Sequence, residues 1–83
     1  MKIQVTRQHI NSGLVGSCTS DPVALALLDA GFIGPWVSPS GIRFTDEEFG
    51  YRHEVPVPDE VLEFMKQFDN GGFIEPFEFE MEE

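Results

Sequence analysis

Cys18 with His9 or His53 is the nucleophile-and-base combination of this 83-residue chain that merits testing. A cysteine nucleophile needs an imidazole within hydrogen-bond reach and a third group to orient that imidazole. Nothing in the spacing fixes such a geometry, so Cys18 is expected to be a small buried or half-buried thiol. The same residues lack the CxxC or HxxxH spacing of zinc ligands, which converge in sets of three or four. Asp46-Glu47-Glu48 is a consecutive acidic run. Calcium loops instead place their ligands at alternate positions, so a solvated turn is expected there. No catalytic residue, metal or cofactor is expected.

The segment Gly13-Leu14-Val15-Gly16-Ser17-Cys18-Thr19-Ser20 has a different potential. A loop rich in glycine and hydroxyls that runs into a helix start can hold a phosphate on its amides, with Gly16, Ser17, Thr19 and Ser20 as the candidate contacts. It has no lysine where a phosphate-binding P-loop carries one. Asp21 would compete for the same amides, and Ser20 or Asp21 acting as an ordinary helix cap explains the composition equally well.

Charge is the strongest chemical signal. The chain has 15 acidic and 5 basic residues, a net charge of −10. In residues 1–41, Lys2 and Arg7 balance Asp21 and Asp29; in residues 42–83, thirteen acids face only Arg43, Arg52 and Lys66. Such a balance disfavours direct binding to nucleic acid or to an anionic membrane. Three clusters hold most of the acids: Glu78, Glu80 and Glu82; Asp59, Glu60 and Glu63; and Asp46, Glu47 and Glu48. Alternate strand residues lie about 6.8 Å apart on one face, so Glu78, Glu80 and Glu82 would match every second phosphate of a DNA strand, spaced about 3.4 Å. The expected partner is a protein with a basic, nucleic-acid-binding surface, although the same acids would also serve plain solubility. Trp36, Phe49 and Tyr51 are candidate aromatic anchors for such a contact.

These residues must be positioned by a small fold. Eighty-three residues make one domain, spanning 1–83, and such a chain buries only about 60–65% of its unfolded surface. Eight Phe, one Trp and one Tyr supply the dense core that this requires. A single cysteine points to a reducing, cytoplasmic setting, and no apolar run suggests a signal peptide or membrane span. Ile3 and Val5 alternate with polar neighbours as in a strand, and one helical turn is expected near His9 and Ile10. Ser20, Asp21 and Pro22 start a helix that Gly31 ends. A β-rich stretch follows over 36–54, its hairpin formed by Ile42–Thr45 and Phe49–His53, with Pro35 and Pro39 confining Trp36–Ser38 to an edge or an irregular approach. Val61, Phe64, Met65 and Phe68 form the apolar stripe of a second helix. Phe77, Phe79 and Met81 then alternate with glutamates as a half-buried strand. The expectation is an α+β domain in β-α-β-β-α-β order: an antiparallel or mixed sheet of about four strands, two helices on one face, and the first and last strands as neighbours.

The succession Val5-Thr6, His9-Ile10, Pro22-Val23-Ala24-Leu25-Ala26-Leu27, Phe64, Phe68-Asp69, Gly71, Pro76-Phe77 and Phe79 resembles small hypothetical proteins of bacteriophages and prophages. The resemblance spans nearly the whole chain and rests on structural motifs. It implies a non-enzymatic protein that binds host machinery in the bacterial cytosol, anti-CRISPR proteins being the leading examples. The alternatives are a module that sequesters a nucleotide at Gly13–Ser20, or a small accessory phage protein with no specific ligand. Self-association, for instance as a dimer, is left open.

Overall fold

Alternation at the N-terminus builds the first element of the computed structural model, which describes residues 1–72 and 74–81. In β1 (Lys2–Val5), Ile3 and Val5 are buried while Lys2 and Gln4 face solvent. Thr6 then caps α1 (Arg7–Ser12). The Thr6 Oγ1 accepts the His9 amide at 3.3 Å, and the His9 Nδ1 accepts the Thr6 amide at 3.0 Å. This is a capping box with histidine where glutamate or glutamine is usual. The composition of 7–12 suggests a polar connection with one turn; the reciprocal cap makes it a six-residue helix.

Asp21 caps α2 (Pro22–Asp29), and Pro22 occupies its first turn. Val23, Ala24, Ala26 and Leu27 are all buried, so the helix is covered on more than one side. Gly31, at φ 98°, ends it: the Phe32 amide bonds to the Leu27 carbonyl and the Gly31 amide to that of Leu28, each at 3.0 Å. That pair of bonds is the Schellman arrangement, and only glycine enters its left-handed position freely.

The hairpins follow. β2 (Ile33–Ser38) pairs antiparallel with β3 (Gly41–Thr45), which pairs antiparallel with β4 (Arg52–Val55). β2 is an edge strand whose register shifts between Ile33 and Trp36, where Gly34 and Pro35 interrupt the ladder. β4 begins at Arg52, so Phe49-Gly50-Tyr51 belongs to the connection and not to the strand. The Asp46 carboxylate takes the Glu48 and Phe49 amides and folds those residues into a turn. Then comes α3 (Asp59–Asp69), with Val61 and Phe64 in the core and Met65 and Phe68 half-buried against it. β5 (Phe77–Glu80) closes the chain against β1 in the register Ile3↔Phe79 and Val5↔Phe77.

The domain is therefore α+β, with five strands in two antiparallel sheets, β1-β5 and β2-β3-β4, and three helices. The expected single sheet of about four strands, and the β-α-β-β-α-β order, are corrected to β-α-α-β-β-β-α-β. One reason lies at the β2 edge: the Val37 amide donates to the Cys18 carbonyl at 2.8 Å, so the loop before α2 takes a bond that a further strand would need. One core serves both sheets, with Ile3, Val5, Val23, Leu27, Val37, Ile42, Val61, Phe79 and Met81 each at most 3% exposed.

Candidate functional site

His9 and His53 each make defined side-chain contacts. The His9 Nδ1 meets the amide and the hydroxyl of Thr6, at 3.0 and 3.1 Å, while its Nε2 lies 2.5 Å from the Asp29 Oδ2. Hydroxyl, imidazole and carboxylate in line resemble a nucleophile relay. However, Nδ1 already accepts the Thr6 amide, which fixes the Nε2–H tautomer on Asp29. Closing α1 and tying it to α2 accounts for every one of these bonds. His53 stacks on Phe44 with centroids 5.3 Å apart, and its Nε2 is 3.2 Å from the Asp46 Oδ2. Both imidazoles are thus engaged with carboxylates, and Cys18 is half-buried beside the β2 edge. Among the described residues, no three His, Cys, Asp or Glu side chains converge to hold a metal ion.

The Gly13–Ser20 loop is tightly folded on itself. The Leu14 amide donates to the Ser20 carbonyl at 2.8 Å and the Ser20 amide to the Ser17 Oγ at 3.0 Å. A Cβ on Gly13 would lie 2.5 Å from ring carbons of Pro22, so the chain passes too close to α2 for any side chain. At the end of the loop, the Asp21 Oδ1 accepts the Ala24 amide at 2.7 Å. The site where a phosphate would sit on the helix start already holds a carboxylate. Burial pushes that carboxyl up to about 6, against the lowering effect of the Ala24 and Val23 amides, and the Asp69 charge adds to the rise. A cavity of about 150 Å³ adjoins it, lined by Ser17, Cys18, Phe64, Met65 and Asp69.

The acidic clusters lie in three unequal environments. Glu78 and Glu80 do occupy the solvent face of β5, opposite Gln4 and Lys2. The structure also gives them counter-charges: the Lys2 Nζ is 3.6 Å from Glu78, and the N-terminal amine is 3.3 Å from Glu80. Pairs this exposed contribute little stability, about 0–1 kcal/mol, yet they cancel much of the local field. Glu82, the third rung expected of the ladder, lies outside the described residues.

On α3 the balance differs. Asp59 and Glu60 stand in its first turn, where they oppose the helix dipole; Pro58 at the N-cap makes no side-chain cap bond. Glu63 follows one turn on. Glu60 and Glu63 join Glu75 around a groove of about 370 Å³ floored by Phe64, Pro76 and Phe77. Among the described residues, none of Asp59, Glu60, Glu63 and Glu75 forms an ion pair. Glu75 carries no sequence signal: it stands in the short link before β5, and the Phe64–Phe77 contact, centroids 4.7 Å apart, brings that link to α3.

The third cluster forms the turn between β3 and β4. Asp46 accepts the Glu48 amide at 2.7 Å and the Phe49 amide at 2.9 Å. Those bonds, Phe49 first, hold its carboxyl below the usual range, with a further contribution from His53. Glu47 and Glu48 point to solvent, as do Phe49 and Tyr51, which are 67% and 68% exposed. Trp36 is placed otherwise: it is half-buried under the Arg43 guanidinium, 4.7 Å from its ring centroid.

No protein-family model, curated protein or solved structure matches the chain. Its surface chemistry must therefore carry the functional reading.

Proposed function

We propose that the chain is a non-catalytic, stoichiometric inhibitor that places uncompensated carboxylates on a basic, nucleic-acid-binding surface of another protein. The observation that supports this most is the distribution of counter-charges. The β5 glutamates have Lys2 and the N-terminal amine within ion-pair reach, whereas Glu60, Glu63 and Glu75 share one groove and, among the described residues, form no ion pair. The polyanion-like face is therefore centred on α3 and the link to β5, with Glu78 and Glu80 at its margin. Pro76 and the half-buried Phe77 on the groove floor give apolar contact, which charge alone does not supply. Opposite charges steer the encounter and fix its orientation. The resemblance to phage-encoded proteins gives this reading its setting: an anti-CRISPR-like protein in the host cytosol that excludes a natural polyanion from a defence enzyme.

Reversing three exposed charges tests it, with Glu60→Lys, Glu63→Lys and Glu75→Lys combined. The variant is expected to fold normally and to lose roughly tenfold or more in affinity for the bacterial protein that the wild type captures and double-stranded DNA displaces. Unchanged capture by the reversed variant would refute the reading.

A further inference from the structure

We propose that the tip of the β3–β4 hairpin is an arginine anchor, in which Phe49 and Tyr51 receive a partner's guanidinium and the neighbouring Glu47 and Glu48 supply carboxylates. This rests on the binding reading above and names the side chain that is held. Among the described Phe, Trp and Tyr side chains these two alone are exposed; Phe44, Phe64 and Phe79 are in the core, and Phe32, Trp36, Phe68 and Phe77 are half-buried. Their rings nonetheless stack on each other, with centroids 6.2 Å apart and planes inclined by 27°.

The turn that carries them is built to hold its shape. The Asp46 carboxylate fixes the Glu48 and Phe49 amides, the Asp46 amide donates to the Tyr51 carbonyl at 2.6 Å, and the Gly50 amide donates to the Asp46 carbonyl at 2.9 Å. Gly50 turns the chain at φ 73°, a conformation in which a side chain is strained. A platform ordered in advance loses little entropy when it binds.

The fold itself shows the chemistry that such a platform suits. Arg43 lies over Trp36 while its Nε is 2.5 Å from the Glu54 Oε1, so ring and carboxylate together hold one guanidinium. The hairpin tip carries both kinds of group, exposed carboxylates and exposed rings, within one short turn and with no arginine of the chain itself in place. The nearest candidate, Arg52, is turned away to the Gly34 carbonyl and the Thr45 hydroxyl, at 2.8 and 2.9 Å. Arginine suits the position better than lysine, because its planar cation stacks on a ring and still donates to carboxylates at its edge.

The isotope-labelled full chain titrated with octa-arginine or octa-lysine, followed by aromatic and amide NMR, tests the assignment. Octa-arginine is expected to shift the Phe49 and Tyr51 ring signals and to bind several-fold more tightly than octa-lysine. In Phe49→Ala/Tyr51→Ala its affinity should fall at least fivefold with the melting temperature unchanged, since both rings are exposed. Ring shifts that persist in Glu60→Lys/Glu63→Lys/Glu75→Lys would support a separate contact. If the peptide shifts only α3 and β5 signals, the anchor is overturned and the polyanion reading stands. If neither peptide binds, both fall. Ring signals that broaden with protein concentration alone would assign the aromatic pair to a second copy, which also overturns the anchor.

Discussion

Capping and burial pull Asp21 in opposite directions. Its carboxylate serves the α2 amides, but the surrounding core raises its proton affinity from an ordinary 3.8 to about 6. The unfolded chain loses this proton near pH 4 and the folded chain near pH 6, so the folded state binds more protons in between. This group's contribution to stability therefore declines as pH rises from about 4 to about 6 and is constant above that. Asn also caps a helix well and never ionises. Asp21→Asn is expected to match the wild type near pH 4 and to exceed it by on the order of 2 kcal/mol at pH 7. Urea unfolding of both proteins at pH 4, 5, 6 and 7 measures this, and a difference that does not vary with pH contradicts it. The cap itself was legible, since Ser20-Asp21-Pro22 is a recognisable helix start. The partners of His9 were not, because Asp29 lies twenty residues away and joins it only when α2 packs on α1.

At the scale of elements, the pairing of the two ends closes the fold. β1 and β5 set Ile3 against Phe79 and Val5 against Phe77, while Lys2 and Glu78 meet on the wet side. The two faces of this ribbon should respond very differently to truncation. Phe79→Ala removes a ring that is 3% exposed and is expected to cost about 3–5 kcal/mol. Glu78→Gln breaks only an exposed pair and should change stability by less than about 0.5 kcal/mol. Guanidinium denaturation of both variants checks the contrast, and similar losses in the two would show that the ribbon is not packed as described. Period-two alternation makes both strands legible, whereas their pairing with each other is a topological expectation, which the observed register bears out. The division into two sheets is not legible, because it depends on where the Cys18 carbonyl meets β2. The start of β4 was misplaced for a related reason. Phe49-Gly50-Tyr51 alternates like a strand, but the Asp46 carboxylate binds the preceding amides into a turn.

For the whole molecule, the net charge of −10 is less informative than its placement. The acidic half and its clusters are legible in the sequence, and Glu47, Glu48, Asp59, Glu60, Glu63, Glu78 and Glu80 are exposed. The closing strand ranks first in the sequence because the ladder is regular along the chain. Folding brings Lys2 and the N-terminal amine to Glu78 and Glu80 and brings Glu75 to α3, so the acids that form no ion pair among the described residues lie elsewhere. Long-range pairing decides which charges remain available, and one-dimensional spacing cannot express it. The most direct test of a polyanion-like face is the salt dependence of the captured complex. Binding through several carboxylates to Lys and Arg is expected to weaken roughly tenfold or more between 50 and 200 mM salt, with double-stranded DNA competing throughout. An affinity that is flat across that range, or a complex that DNA does not displace, contradicts the account.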